Sequence, residues 1–294
     1  PIVSSATSLP IDFPFLHDYM QAVLNTDLLL VGAASGIGKC LGYNTPVLMF
    51  DGSIKPVQDI ENGDLLMGPD STSRTVRGVM KGRGMLYKVT PVKGDPWVCN
   101  GEHILNLKST GDKKPAINIS VKEWFKLSDH KKAYYKQWRT GVEFEEKDLP
   151  IDPYVVGVWL GDGLSHRAGI ALGDKKKAIK EYLAKWAEQN NLNIRSTINR
   201  NCEDLAFSHP KGQRVPFTNP FYWLRTSFIK NGLKFITQEH KTGSWQQRVD
   251  LLSGLLDTDG SLCGGGYEIT SKSKQLAEDI CFVARSLGLA ASTK

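Results

Sequence analysis

Two short apolar segments, each ending in Asp-Gly, constrain the fold of this chain more than any other feature. Residues 155–163 read VVGVWLGDG and residues 252–260 read LSGLLDTDG, 97 residues further along. Both runs contain small residues that would let two helices approach closely, namely Gly157, Gly161, Ser253 and Gly254. We therefore predict a pair of packed helices, one ending at Asp162 and the other at Asp259.

Each of these runs ends in a carboxylate followed by a glycine. Gly163 and Gly260 suit a left-handed residue that stops a helix. Asp162 and Asp259 then lie at helix C-termini, where the helix dipole disfavours an anion. Two carboxylates held together in this way can bind Mg²⁺ and drive the hydrolysis of phosphodiesters, so the repeat predicts a metal site at this pair.

Residues 40–150 have a different pattern, because turn sequences interrupt short apolar runs throughout. The turns include DG at 51–52, NGD at 62–64, GPD at 68–70 and GDP at 94–96. Turns this frequent predict a mostly β domain, with its first hairpin around Asp51 and Gly52.

A glycine-rich segment, VGAASGIGK at residues 31–39, ends directly at Cys40. It fits a relaxed phosphate-loop pattern through Ala33, Gly38 and Lys39. Such a loop continues through Ser or Thr into a helix, whereas here it meets a cysteine and a hairpin sequence. Cysteine is a strong nucleophile, so Cys40 is a candidate catalytic residue.

A second polar cluster, WVCNGEHILNL, occupies residues 97–107. His103 could relay a proton to the backbone nitrogen that leaves when the bond before Cys40 is cleaved. The side chain of Asn100 could hold the carbonyl group of the same bond. We expect Cys99, next to Asn100, to be a packing residue.

From Cys40 to Lys294 the chain resembles an intein that carries a LAGLIDADG (DOD-type) homing endonuclease, as in fungal inteins. Residues 45–64 resemble the opening intein block, and residues 97–107 resemble the second block, with Asn100 where Thr is commoner. The segment 252–260 matches L-A-G-L-I-D-A-D-G at six of nine positions.

The resemblance implies several roles. Cys40 would attack the carbonyl before it in an N-to-S shift, with Asn100 and His103 assisting and no cofactor required. Asp162 and Asp259 would bind Mg²⁺ at the base of two sheets lying on double-stranded DNA. Lys234, in the stretch KNGLK, matches a catalytic lysine of the family. We also expect a DNA-facing strand at 267–270 and an amphipathic helix at 271–287.

The expected organisation is multidomain. Residues 1–39 would be a host fragment with a P-loop-like end, and 40–150 a mostly β Hint-type splicing domain. Residues 151–294 would be an α/β LAGLIDADG endonuclease domain with a pseudo-two-fold repeat whose second half is truncated. Because the acceptor nucleophile and final splicing strands would lie beyond Lys294, we expect this chain to cleave but not to ligate.

Charge and cysteine content indicate which partners and which cellular compartment to expect. The net charge is +6, and residues 151–294 contain 19 Lys and Arg against 14 Asp and Glu. This small excess of positive charge weakly favours a polyanionic partner. The five cysteines are odd in number and contain no C-x-x-C pair, which argues against a zinc or disulfide framework. We expect a monomer in the cytoplasm or nucleus, with DNA and host flanks as partners and no membrane.

Two alternatives remain open at this point. In the first, the intein is degenerate and its nuclease domain only binds DNA. In the second, the chain has the activity of a P-loop NTPase host.

Overall fold

The computed structural model describes residues 8–10, 22–24, 40–110, 115–173, 176–199, 202–210 and 219–293. Among the first 39 residues it describes an antiparallel pair of strands, β1 (Ser8–Pro10) and β2 (Ala22–Leu24). The P-loop-like segment that ends at Lys39 lies outside the described residues.

Residues 40–147, which we call the first region, are mostly β, as the density of turns predicts. The strands are β3 (Pro46–Leu48), β4 (Ile54–Pro56), β5 (Leu65–Met67), β6 (Ser73–Thr75), β7 (Leu86–Val89), β8 (Trp97–Asn100), β9 (Ile104–Ser109), β10 (Ile117–Ser120) and β11 (Tyr135–Gln137). They pair antiparallel as β3–β4, β5–β6, β7–β8 and β10–β9–β11. Helices α1 (Val121–Phe125) and α2 (Asp129–Tyr134) lie between β10 and β11.

The predicted hairpin at Asp51 and Gly52 is present. Leu48 pairs with Ile54 across the turn, and Gly52 has φ of +80°, which a side chain would strain. The Asp51 carboxylate accepts hydrogen bonds from the backbone and hydroxyl of Ser53. A Cβ added to Gly52 would lie 2.1 Å from Cγ2 of Thr242, so this turn is also packed against the second half of the chain.

Residues 148–293, the second region, mix helices and small sheets. The helices are α3 (Pro153–Asp162), α4 (Lys177–Gln189), α5 (Pro220–Ser227), α6 (Gln238–Lys241), α7 (Trp245–Asp259) and α8 (Lys274–Ser286). The strands are β12 (Gly169–Gly173), β13 (Asn193–Asn199), β14 (Cys202–Ser208), β15 (Ile229–Lys230), β16 (Leu233–Lys234), β17 (Gly260–Cys263) and β18 (Gly266–Ile269). The sheet order is β12–β14–β13, and β15–β16 and β17–β18 form separate antiparallel pairs.

Helices α3 and α7 cross in close contact, as the small residues predict. A Cβ at Gly157 would lie 2.1 Å from the carbonyl oxygen of Leu251, and one at Gly254 would lie 2.3 Å from that of Tyr154. Because backbone meets backbone at these points, no side chain fits there. Five other residues of α3 are apolar and buried, and this helix forms the centre of the core: Val155, Val156, Val158, Trp159 and Leu160.

The predicted left-handed stops of these two helices are wrong. Gly163 has φ of −70° and Gly260 has φ of −75°, and both are extended. Gly260 begins β17 directly, and Gly163 forms a bridge with Ile170, so each chain leaves its helix in an extended conformation. Glycine is required for space, since an added Cβ would lie 2.2 Å from the Trp159 carbonyl oxygen and 2.4 Å from that of Leu256, respectively.

The boundary between the two regions is ordered rather than a free linker. Ile151 is buried in the core, and the Asp152 carboxylate accepts hydrogen bonds from the backbone N–H groups of Tyr154 and Val155. Asp152 is therefore the N-cap of α3, and Pro153 occupies the first position, where its missing N–H has no helical partner to lose.

Arg248 of α7 connects the second region to the first. Its side chain is fully buried, and its Nη2 donates to the Val142 carbonyl at 2.7 Å. Nε donates to Gly243 and Nη1 to Ser286 of α8, at 2.8 and 2.6 Å. The guanidinium also lies 4.9 Å from the Phe144 ring centroid.

In the described part of the chain, no helix is both long and apolar enough to cross a membrane.

Candidate functional site

Cys40 lies at the edge of β8, where the backbone pairs with it. The Asn100 N–H donates to the Cys40 carbonyl at 2.9 Å, and the Gly42 N–H donates to the Val98 carbonyl at 2.7 Å. Leu41 forms an antiparallel bridge with Cys99 between these two bonds. This register brings Cys40 and Asn100 together across 60 residues of sequence.

The Asn100 side chain contacts the nitrogen of the bond that precedes Cys40. The Cys40 N–H donates to Asn100 Oδ1 at 3.3 Å. The sequence predicted a contact with the carbonyl of this bond, but that carbonyl belongs to Lys39, outside the described residues. In the described part of the chain, Asn100 therefore contacts the nitrogen of Cys40, and its predicted role at the carbonyl stays a prediction.

His103 lies in the turn that joins β8 to β9. Its backbone N–H donates to the Asn100 carbonyl at 3.3 Å, which fixes the two residues in one turn. The imidazole packs edge-on against the Trp97 indole, with ring centroids 5.1 Å apart. The turn thus places the third predicted residue of this cluster beside Asn100.

Cys99 is a packing residue, as predicted. It is fully buried with Leu105, Leu107 and Val121, and burial raises the pKa of its thiol. A raised pKa disfavours the thiolate, so Cys99 is a poor nucleophile beside the half-buried Cys40.

The second cluster is formed where α3 and α7 end. Asp162 ends α3 and Asp259 ends α7, and a Cβ at Gly161 would lie 3.4 Å from Cγ of Asp259. Burial raises the pKa of the Asp259 carboxyl, and the negative charge of Asp162 raises it further. Lys176 and Lys234 oppose this rise. The structure therefore brings both predicted carboxylates into electrostatic contact.

Lys234, at the end of β16, binds the C-terminal end of α3. Its Nζ donates to the carbonyls of Trp159, Leu160, Gly161 and Gly163 at 2.8–3.2 Å. The ammonium lies 4.9 Å from the Trp159 ring centroid. Burial lowers the pKa of Lys234 to about 8, against the opposing charges of Asp259 and Asp162. This cation offsets the negative end of the α3 dipole.

Lys176, just before α4, is a member of this cluster that sequence reasoning missed. Its Nζ donates to Asp162 Oδ2 at 2.6 Å and to the Thr258 carbonyl at 2.7 Å. It therefore joins the end of α3 to the end of α7. The only signal in the sequence is a run of three lysines at 175–177, which does not show which of them turns inward.

The oxygens at these helix ends are of the kind that hard divalent cations bind. The two carboxylates, and the Gly161 and Thr258 carbonyls that the lysines contact, are all oxygen donors, which is the donor class that Mg²⁺ prefers. Among the described residues, no group of three or more His, Cys, Asp or Glu side chains could hold a metal. A cation at this position would consequently depend on the Asp pair, backbone oxygens, water and substrate.

Comparison with known protein families identifies the first region. Residues 40–147 match the family described as Hom_end-associated Hint. These residues are the first region, which contains Cys40, Asn100 and His103.

The chain is also similar to curated proteins, two of which are described next. The chain is 25% identical over 291 residues to a replicative DNA helicase DnaB of Mycobacterium intracellulare, covering 90% of this chain and 45% of the relative. It is 29% identical over 92 residues to the catalytic subunit of a V-type proton ATPase of Candida tropicalis, covering 31% of this chain and 8% of the relative. The chain thus spans less than half the length of either relative. Together with the Hint match, the similarity to the V-type ATPase subunit supports an intein in this chain.

Proposed function

We propose that Cys40 begins protein splicing by an N-to-S acyl shift. Its sulfur would attack the carbonyl carbon of Lys39, and the bond from that carbon to the Cys40 nitrogen would break. A thioester forms, the thiol loses its proton, and the nitrogen takes up a proton to become an amine. The observation that carries this proposal is the hydrogen bond from the Cys40 N–H to Asn100 Oδ1.

This hydrogen bond favours the product of the shift. In the peptide, the Cys40 nitrogen is a neutral amide donor. After cleavage it becomes an ammonium group at neutral pH, and hydrogen bonds from charged donors are shorter and stronger than neutral ones. Asn100 Oδ1 would therefore stabilise the amine more than the amide, and also the transition state in which positive charge develops on this nitrogen, which is the differential binding that catalysis requires.

His103 is the proton donor in this proposal. It shares a turn with Asn100, and Trp97 holds its ring edge-on. An imidazole can carry a proton on a ring nitrogen and pass it on, which suits transfer of a proton to the leaving nitrogen.

Thiol-induced cleavage tests the acyl shift directly. Incubation of the chain with dithiothreitol should release residues 1–39, as detected by mass spectrometry. Cys40→Ala should abolish this release, whereas Cys202→Ala should not, because Cys202 is an exposed cysteine away from the cluster. Release from the Cys40→Ala protein would contradict the proposal.

We further propose that the second region is a metal-dependent DNA endonuclease. Support comes from two carboxylates and two lysines at the adjoining ends of α3 and α7. A divalent cation held by Asp162 and Asp259 would supply Lewis-acid stabilisation of the phosphate charge. Lys234, which borders both carboxylates, would contribute positive charge towards the same phosphate.

The similarity to the helicase supports the view that this relative has a counterpart of the second region. Since it covers 90% of this chain, it extends beyond residues 40–147 into the helices that carry the Asp pair. A narrower function, DNA binding without cleavage, is favoured by one observation. Lys176 already occupies one oxygen of Asp162.

Cleavage of the uninterrupted host gene distinguishes these two functions. The wild-type chain should cut this DNA in the presence of Mg²⁺. Asp162→Asn or Asp259→Asn should abolish cutting while leaving DNA binding largely intact. Binding of the wild-type protein without any cutting would support the narrower function instead, and full cutting by Asp259→Asn would exclude the Asp pair as the metal site.

A further inference from the structure

Two lysines bind the helix ends of the Asp cluster, and they differ in what they bind. Lys234 contacts backbone carbonyls of a single helix, α3, and of the glycine that follows it. Lys176 contacts one oxygen from each helix, Asp162 Oδ2 and the Thr258 carbonyl. Lys176 is therefore the cation that bridges the two ends.

The two oxygens bound by Lys176 are oxygens that a divalent cation would also use. One is a carboxylate oxygen, and the other is a backbone carbonyl oxygen of the residue before Asp259. Both are ligand types of Mg²⁺ and related hard cations. At 2.6 and 2.7 Å, the ammonium fills the space on these oxygens that such a cation would need.

Lys176 can leave this position without disturbing the core. Its side chain is 26% exposed, and it precedes α4 in a polar segment. By contrast, Lys234 is enclosed by four carbonyls and the Trp159 ring. Of these two lysines, Lys176 is held by two oxygens and Lys234 by four, so Lys176 has fewer contacts to lose on withdrawing.

We propose that Lys176 is a built-in competitor for the metal position, so that a divalent cation binds only when the ammonium withdraws from Asp162 and Thr258. This inference rests on the proposed nuclease function, which would give the competition its role. The competition itself is a cation-binding equilibrium that can be measured on the chain without DNA. In the metal-free chain, Lys176 neutralises Asp162 and bridges the two helix ends.

The test measures Mn²⁺ binding to the full chain without DNA, using the electron paramagnetic resonance signal of free Mn²⁺. Lys176→Gln should bind Mn²⁺ about fivefold more tightly than wild type, because a competing ion pair of modest strength is removed. Lys180→Gln is the matched control, since Lys180 lies nearby on α4 and pairs with Glu203 at the same distance of 2.6 Å. Its Mn²⁺ affinity should equal that of wild type.

Other results would overturn the inference. Equal or weaker Mn²⁺ binding by Lys176→Gln, or no binding by either protein, would show that Lys176 does not compete. Lys176→Ala is a second neutral variant, and thermal unfolding by circular dichroism verifies that the variants are folded. Failure of the nuclease proposal is a separate outcome: tighter Mn²⁺ binding by Lys176→Gln in a protein that cuts no DNA supports the competition and rejects the nuclease.

Discussion

The two candidate sites are built in contrasting ways. The cluster around Cys40 is held by hydrogen bonds between neutral groups along the edge of β8. The cluster around Asp162 and Asp259 consists of charged groups at the ends of two packed helices. The first site therefore depends on strand register, and the second depends on helix packing and charge balance.

This difference shows how each site would fail. A register shift of one residue would move Asn100 to the other face of its strand and break the first site. The second site would instead fail when α3 and α7 separate, or when a charge is removed. The two regions nevertheless share Arg248, so we can ask whether they are lost together. Four predictions test this comparison.

The largest effect is expected from Gly254→Val. A Cβ at this position would lie 2.3 Å from the Tyr154 carbonyl oxygen and 2.7 Å from the Val158 nitrogen, so α3 and α7 must move apart. We expect a loss of about 4 kcal/mol in the free energy of unfolding. Urea unfolding measures this loss, and Gly173→Ala is the control, because an added Cβ there meets nothing within 4 Å. A variant as stable as wild type would show that the helix contact is not tight.

Arg248→Met should reveal whether the regions unfold as one unit. The variant leaves the Val142 and Gly243 carbonyls without their buried donors, and we expect a loss of about 3 kcal/mol. If the regions are coupled, calorimetry should show a single transition at lower temperature. Two separate transitions would show independent regions. Arg195→Met, at an exposed position on β13, should leave the temperature of the unfolding transition unchanged.

His240 should make the second region sensitive to acid. It is buried against Phe228, and burial lowers the pKa of its imidazole from 6.5 to about 4. Because the unfolded chain takes up a proton near pH 6.5 and the folded chain only near pH 4, stability is present above this window and is lost as pH falls through it. Linkage gives a loss of about 2 kcal/mol between pH 7 and pH 5.

The measurement is the free energy of unfolding against pH for wild type and His240→Gln. The variant should lack this part of the pH dependence, whereas His166→Gln, at an exposed site, should retain it. Identical pH profiles for wild type and His240→Gln would contradict the assignment.

The smallest effect, and the only stabilising one, is expected from Asp259→Asn. Burial and the charge of Asp162 raise the pKa of this carboxyl, so its charged form is disfavoured in the folded chain. Asp259 is an exposed residue although its carboxyl is partly desolvated, so solvent screening limits the gain to about 0.5 kcal/mol at pH 7. Asp257→Asn is the control with the opposite sign, since Asp257 accepts a hydrogen bond from the Tyr154 hydroxyl at 2.8 Å. Destabilisation by both substitutions would show that the negative charge of Asp259 is not unfavourable in the folded chain.

Much of the architecture could be predicted because it follows from local pattern. Turn sequences predicted the β-rich first region, and the Asp-Gly repeat predicted the α3–α7 pair. The conformation of Gly163 and Gly260 could not be predicted, because both left-handed and close-approach positions favour glycine. Only the path of the chain after each helix distinguishes them.

The sequence by itself determined the residues with distinctive chemistry: a cysteine at the end of a glycine-rich loop, and two carboxylates at the ends of small-residue helices. The tertiary structure decided which ordinary residues act on them. Lys176 is one of three consecutive lysines, and Arg248 stands among polar residues at the start of α7 that do not mark it as buried. Their partners at Thr258 and Val142 are backbone carbonyls, which every residue possesses. A contact between a common side chain and a backbone atom leaves no sequence signal, so only packing selects it.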